Sequence, residues 1–68
     1  MHMTAVLTPA EEGGFVAYNP ETGTASQGET IDEAVTMLKE AVELYLEEFP
    51  INLRGTAVVT SFDVPVNA

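Results

Sequence analysis

The chain has 68 residues, no cysteine and a single histidine, His2, so it holds one small domain whose thin core cannot be stapled by disulfides or by a thiolate or histidine metal site. Eleven acidic residues against two basic ones give a formal net charge of -9. That charge sets nucleic acid and anionic membranes aside as direct partners, because their phosphates would be repelled, and leaves either attraction to a basic protein or simple solubility.

The opening Met1-His2-Met3 reads as a cloning remnant over residues 1–2 ahead of a natural Met3, and His2 is expected to be solvated. "TAVLT", Thr4 to Thr8, is a short strand by composition, closed by Pro9. "AEEGG" then supplies, at Gly13 and Gly14, the positive backbone angles of a tight reversal. "FVAY", Phe15 to Tyr18, is the returning strand of a hairpin, and "NPETG" is turn chemistry that leads to a weaker third strand over Thr24 to Ser26.

From Thr30 the apolar period changes from two to about 3.6. Thr30 and Glu33 form a capping box, in which the Thr30 hydroxyl accepts the Glu33 amide and the Glu33 carboxylate reaches back to the amide of Thr30. Asp32 and Glu33 suit the positive end of the helix dipole, and Pro50 ends the helix near Glu48 after about 19 residues, roughly 28 Å. Ile31, Val35, Leu38, Val42, Tyr45 and Phe49 share the stripe expected to pack on the sheet. Met37 and Leu44 lie roughly 100° or more around from it, joined to it through Ala34 and Ala41. They are candidates for an oligomer interface. The opposite face carries Asp32, Glu33, Glu40, Glu43 and Glu47 with Lys39 as its one cation, an acidic ridge suited to a basic partner or to solvent.

"INLRG" makes the return, and "TAVVTSFDVPV" reads as a last strand that is apolar on both faces, with Pro65 limiting further pairing. The expected architecture is therefore α+β, in the order β-β-β-α-β: a single sheet with one helix on one face and the other face free for oligomerisation. No apolar run approaches the roughly 18 residues of a bilayer span, and the N-terminus lacks a basic-then-hydrophobic leader pattern. A soluble, cytoplasmic chain is expected.

Chemistry is hard to find. Gly28 stands alone before the helix, with no lysine nearby and with Glu29, Asp32 and Glu33 crowding the positive end that a phosphate would need, so a nucleotide loop is excluded. The carboxylates sit on turns or along one outer helix face, without the convergence that two-metal catalysis requires. Ser26 and Ser61 have no evident base. No catalytic residue, metal site or cofactor is expected, and the chain reads as a non-enzyme.

"EEGGFVAYNPE" followed by "SQGETIDEAVTMLKEAVELYLEE" resembles the HicB-like antitoxin family. The matching positions are Gly13, Gly14, Phe15, Ala17, Pro20, Gly23, Ser26, Gln27, Gly28, Thr30, Glu33, Ala34, Glu40, Ala41 and Leu44. The matching stretches run in order from Glu11 to Glu48. The resemblance implies a partial ribonuclease-H-like fold without the nuclease's metal-binding cluster, and a domain that binds and neutralises a small basic mRNA-cleaving toxin. On that reading Glu33, Glu40, Glu43 and Glu47 meet the toxin, and Met37 and Leu44 help build a dimer or tetramer. Thr24 stands where the family often has cysteine, and Glu29 where it usually has aspartate. No basic recognition element follows the last strand, so one domain over residues 1–68 without DNA binding is expected, of the short branch in which a cognate toxin can be absent and the role is unassigned.

Overall fold

The computed structural model describes residues 1–52 and 55–67. Three strands and a helix follow one another: β1 (Val6–Pro9), β2 (Phe15–Asn19), β3 (Thr24–Gly28) and α1 (Ile31–Glu48). The sheet is antiparallel with order β1-β2-β3, and the helix covers one of its faces, the expected α+β class.

Two reversals fix the registers. At the first, the Ala10 amide donates to the Gly14 carbonyl at 3.0 Å and the Gly13 amide to the Ala10 carbonyl at 3.1 Å. Gly13 and Gly14 hold φ of 102° and 77°, where a side chain would be strained. The turn sets Val6 opposite Tyr18 and Leu7 opposite Ala17. At the second reversal the Asn19 carbonyl accepts the Gly23 amide at 2.8 Å, and the Asn19 side-chain Oδ1 accepts the Thr22 amide at 2.9 Å. This asparagine turn places Ala17 opposite Ser26 and Phe15 opposite Gly28.

The helix begins as its cap chemistry dictates. The Glu33 amide donates to the Thr30 hydroxyl at 3.1 Å. The reciprocal arm of the capping box lands one residue earlier than expected: the Glu33 carboxylate accepts from the Glu29 amide at 3.1 Å, not from that of Thr30. The Phe49 amide still donates to the Tyr45 carbonyl at 2.8 Å before Pro50 ends the helix, and the Tyr45 and Phe49 rings sit 5.1 Å apart.

Buried apolar residues are few: Ala17, Ala34, Leu38 and Val42, ringed by half-buried Met3, Ala5, Leu7, Phe15 and Leu46. The helix lies over β3 and β2. Its sheet-facing stripe runs through Ala34, Leu38 and Val42, so it is rotated from the expected one, and Ile31, Val35 and Phe49 are exposed. The cause is close approach. A Cβ on Gly28 would lie 2.6 Å from the Ala34 amide nitrogen, so glycine and alanine let the first helical turn rest on β3 and draw Ala34 inward.

The last strand expected from "TAVVTSFDVPV" does not form within the single chain: residues 56–67 pair with no strand. Alternation makes a segment fit for a sheet, but a strand exists only where a neighbour offers its backbone groups. Part of the expected return, Leu53 and Arg54, lies outside the described residues. Beyond it the segment leaves the domain as an arm, with Val58, Phe62 and Val66 84–90% exposed. The molecule measures 48 × 29 × 15 Å with a radius of gyration of 14.1 Å, against roughly 11 Å for a compact domain of this length.

Candidate functional site

Four acidic side chains singled out in the sequence come together on one surface. Glu33, Glu40, Glu43 and Glu47 are all exposed, and their separations of seven, three and four residues place them on the helix face opposite buried Ala34, Leu38 and Val42. The ridge points away from the sheet. Met37 and Leu44, 46% and 65% exposed, run beside it, two turns apart. An acidic line flanked by two apolar side chains thus lies open along most of the helix.

The other flank of the helix borders an apolar groove of about 390 Å³. Met3, Ala5 and Asn19 form one wall, and Val35, Leu38, Val42 and Leu46 the other, with Lys39 and Glu43 at the rim. The groove exists because the helix sits over β3 and β2 and leaves the side nearest β1 uncovered.

At the mouth of that groove is a polar clasp that sequence reasoning missed. The Glu21 carboxylate accepts from the Thr4 amide, the Thr4 hydroxyl, the Asn19 side-chain amide and the Ala57 amide, each at 2.8 Å. The fully buried Asn19 also donates to the Thr4 carbonyl at 2.8 Å. Hydrogen bonds from Ala57 and then Thr4 stabilise the ionised form and hold the Glu21 carboxyl down at about 2. Three elements meet here: the lead-in to β1, the turn after β2 and the start of the arm. Thr4 and Ala57 lie 17 and 36 residues from Glu21 in sequence, and the only local signal was an acid in the turn "NPETG".

Gly28 is the contact between β3 and the helix start. Among the described residues no three His, Cys, Asp or Glu side chains gather closely enough to hold a metal ion, and no buried side-chain polar atom lacks a partner. No helix among them is long and apolar enough to cross a membrane.

Two proteins of Synechocystis sp. are similar to this chain. One, named UPF0150 protein ssl0738, is 45% identical over 47 residues, covering 68% of this chain and 65% of its own length. The other, UPF0150 protein ssr1765, is 42% identical over 45 residues, covering 65% of this chain and 57% of its own length. The chain thus spans less than two thirds of either relative. No solved structure matches it. Residues 3–52, the whole sheet and helix without the arm, match the family of unknown function DUF7387, and the chain belongs to that family.

Proposed function

We propose that this protein is an antitoxin-like binding module of the HicB type, which takes a small basic mRNA-cleaving toxin on the helix ridge of Glu33, Glu40, Glu43 and Glu47. The observation that supports it most is the ridge itself: four carboxylates on a face turned away from the core, in a chain of net charge -9. A field of one sign steers an oppositely charged partner and selects against anionic ones. Met37 and Leu44 alongside offer the apolar contact that charge alone does not supply. The proposal gives the chain no catalytic role and no cofactor, and places it in the cytoplasm, where such a toxin would act.

The test is binding to a small basic protein encoded beside this chain's gene, measured at low and high salt. Affinity is expected to fall steeply with salt, and to fall again when Glu40, Glu43 and Glu47 are neutralised to glutamine. Binding indifferent to both changes, or no binding, sinks the reading.

A second reading, a stand-alone oligomeric domain with a structural or ligand-binding role and no toxin, is favoured by the exposed arm and by Val6, Val16 and Tyr18 on the sheet face away from the helix. Self-association unaccompanied by any basic partner would select it. Metal-stimulated nuclease activity in a clean preparation would instead overturn both readings.

A further inference from the structure

A free sheet edge, an open groove and an unpaired arm occur in the same small molecule. Among the described residues β1 pairs with β2 alone, so its other edge is a template for another strand. The groove lies beside that edge, between the lead-in to β1 and the uncovered flank of the helix. A strand added to β1 would lay its inward side chains over Leu38, Val42 and Leu46.

The arm fits that place chemically. From Ala57 to Val64 it is apolar on both faces, as suits a strand covered on both sides, and Pro65 ends its pairing capacity. Yet the structure does not lay the arm along its own β1. The Glu21 clasp holds Ala57 at the corner where β1 begins, and beyond it Val58, Phe62, Val64 and Val66 project into solvent, 64–90% exposed. Exposure of that many large apolar groups calls for a cover.

We propose that the arm of one copy adds to the β1 edge of a second copy and fills its groove, and that the exchange is reciprocal, giving a two-fold dimer. Charge argues for a second copy over another protein. Residues 56–67 carry one charged side chain, Asp63, and Met3 to Ala10 carry none, so arm and edge are the charge-poor parts of a chain with net charge -9. Two copies can meet there without opposing their acidic ridges. Given and received in both directions, an arm of this length with the edge and groove it covers reaches the roughly 20–30 residues per side of a standard interface. The inference does not depend on the antitoxin reading: of the ridge only Glu43 reaches the groove rim, beside Lys39, and Glu33, Glu40 and Glu47 do not line the groove.

The test uses the full chain. Sedimentation velocity should show a dimer, and isotope-filtered spectra of a mixture of labelled and unlabelled protein should show contacts from the Phe62 ring to Leu38, Leu46 or Met3 of the other copy. Phe62→Asp or Val58→Asp, both at exposed positions of the single chain, should weaken the dimer at least tenfold while circular dichroism remains that of the folded domain. Leu44→Asp should leave the dimer intact. A monomer at about 100 μM, a dimer broken by Leu44→Asp but not by Phe62→Asp, or arm-to-groove contacts found only within one copy would each overturn the proposal.

Discussion

The Cβ that Gly28 lacks would lie 2.6 Å from the amide nitrogen of Ala34, closer than any real side chain approaches backbone. One residue at the end of β3 and one in the first turn of the helix therefore set the distance between the two layers. Gly28→Ala is expected to push the helix off the sheet and to cost about 1–3 kcal/mol, as overpacking of a close contact does. In a domain with so few buried residues that is a large share of the total. A thermal melt reads it, and a variant as stable as the parent would mean that the helix can shift freely.

Gly14 extends the same contact. A Cβ there would meet the Gly28 carbonyl oxygen at 2.5 Å, and φ is 77°, so Gly14→Ala carries both a clash and left-handed strain. Gly23 has nearly the same angle, 78°, with nothing within 4 Å. Gly23→Ala should therefore cost only the strain, about 1–2 kcal/mol, and Gly14→Ala clearly more. Equal losses in urea unfolding would show that the crowding at Gly14 is relieved without cost.

The clasp at Glu21 predicts a pH dependence of known sign. Its folded carboxyl sits at about 2, below the ordinary 4.5. A depressed carboxylate contributes stability that is present above its unfolded value and is lost as pH falls through its folded one. The stability the tether contributes is thus complete at neutral pH and declines as pH falls from about 4.5 to about 2, and the tether itself opens as pH falls through about 2. The Ala57 amide reports it directly, because it donates to Glu21 Oε2. Its chemical shift should titrate with a midpoint near 2, and in Glu21→Gln the transition should vanish while its hydrogen exchange accelerates. A midpoint near 4.5 would mean that the clasp is open in solution.

Thr30→Ala removes the acceptor of the Glu33 amide and should cost about 1 kcal/mol, read by thermal or urea unfolding. Glu33 itself has two duties, since its carboxylate also accepts the Glu29 amide. If the ridge binds a basic partner, Glu33→Ala is expected to lower stability and affinity together, whereas on a solvated face it lowers stability alone. A parent-like melting temperature for Glu33→Ala would remove the capping duty.

The legible parts of the molecule were those that local pattern determines. The switch from period two to 3.6 at Thr30, the glycine pair at Gly13 and Gly14 and the stop at Pro50 place three strands and a helix within one or two residues. The acidic ridge was legible for the same reason, being a matter of spacing on one helix. The sheet-facing stripe was legible at Leu38 and Val42 but not at its start, because hydropathy favours Ile31 and Val35 over Ala34, whereas the close packing at Gly28 favours the smallest side chain. The clasp joins Thr4, Glu21 and Ala57 across gaps that no local pattern spans. The last strand failed as an element of the single chain because alternation describes what a segment can pair with, and β1 of the same chain is not where the arm goes.

The ridge yields a prediction in which stability and binding move in opposite directions. Glu40 and Glu43 are three residues apart and Glu43 and Glu47 four, so like charges face one another along the helix and oppose its formation by about 0.2–0.5 kcal/mol per pair. Among the described residues none of the three accepts a hydrogen bond from a group that holds the fold, in contrast to Glu33 and Glu21. The triple variant Glu40→Gln, Glu43→Gln, Glu47→Gln should therefore melt at the parent temperature or slightly above it. If the ridge is a surface for a basic partner, the same variant should lose affinity at low salt by tenfold or more and retain little salt dependence. A solvated face predicts the gain in stability with no change in binding. Loss of both would mean that these carboxylates hold the fold, which the exposed geometry of the helix argues against.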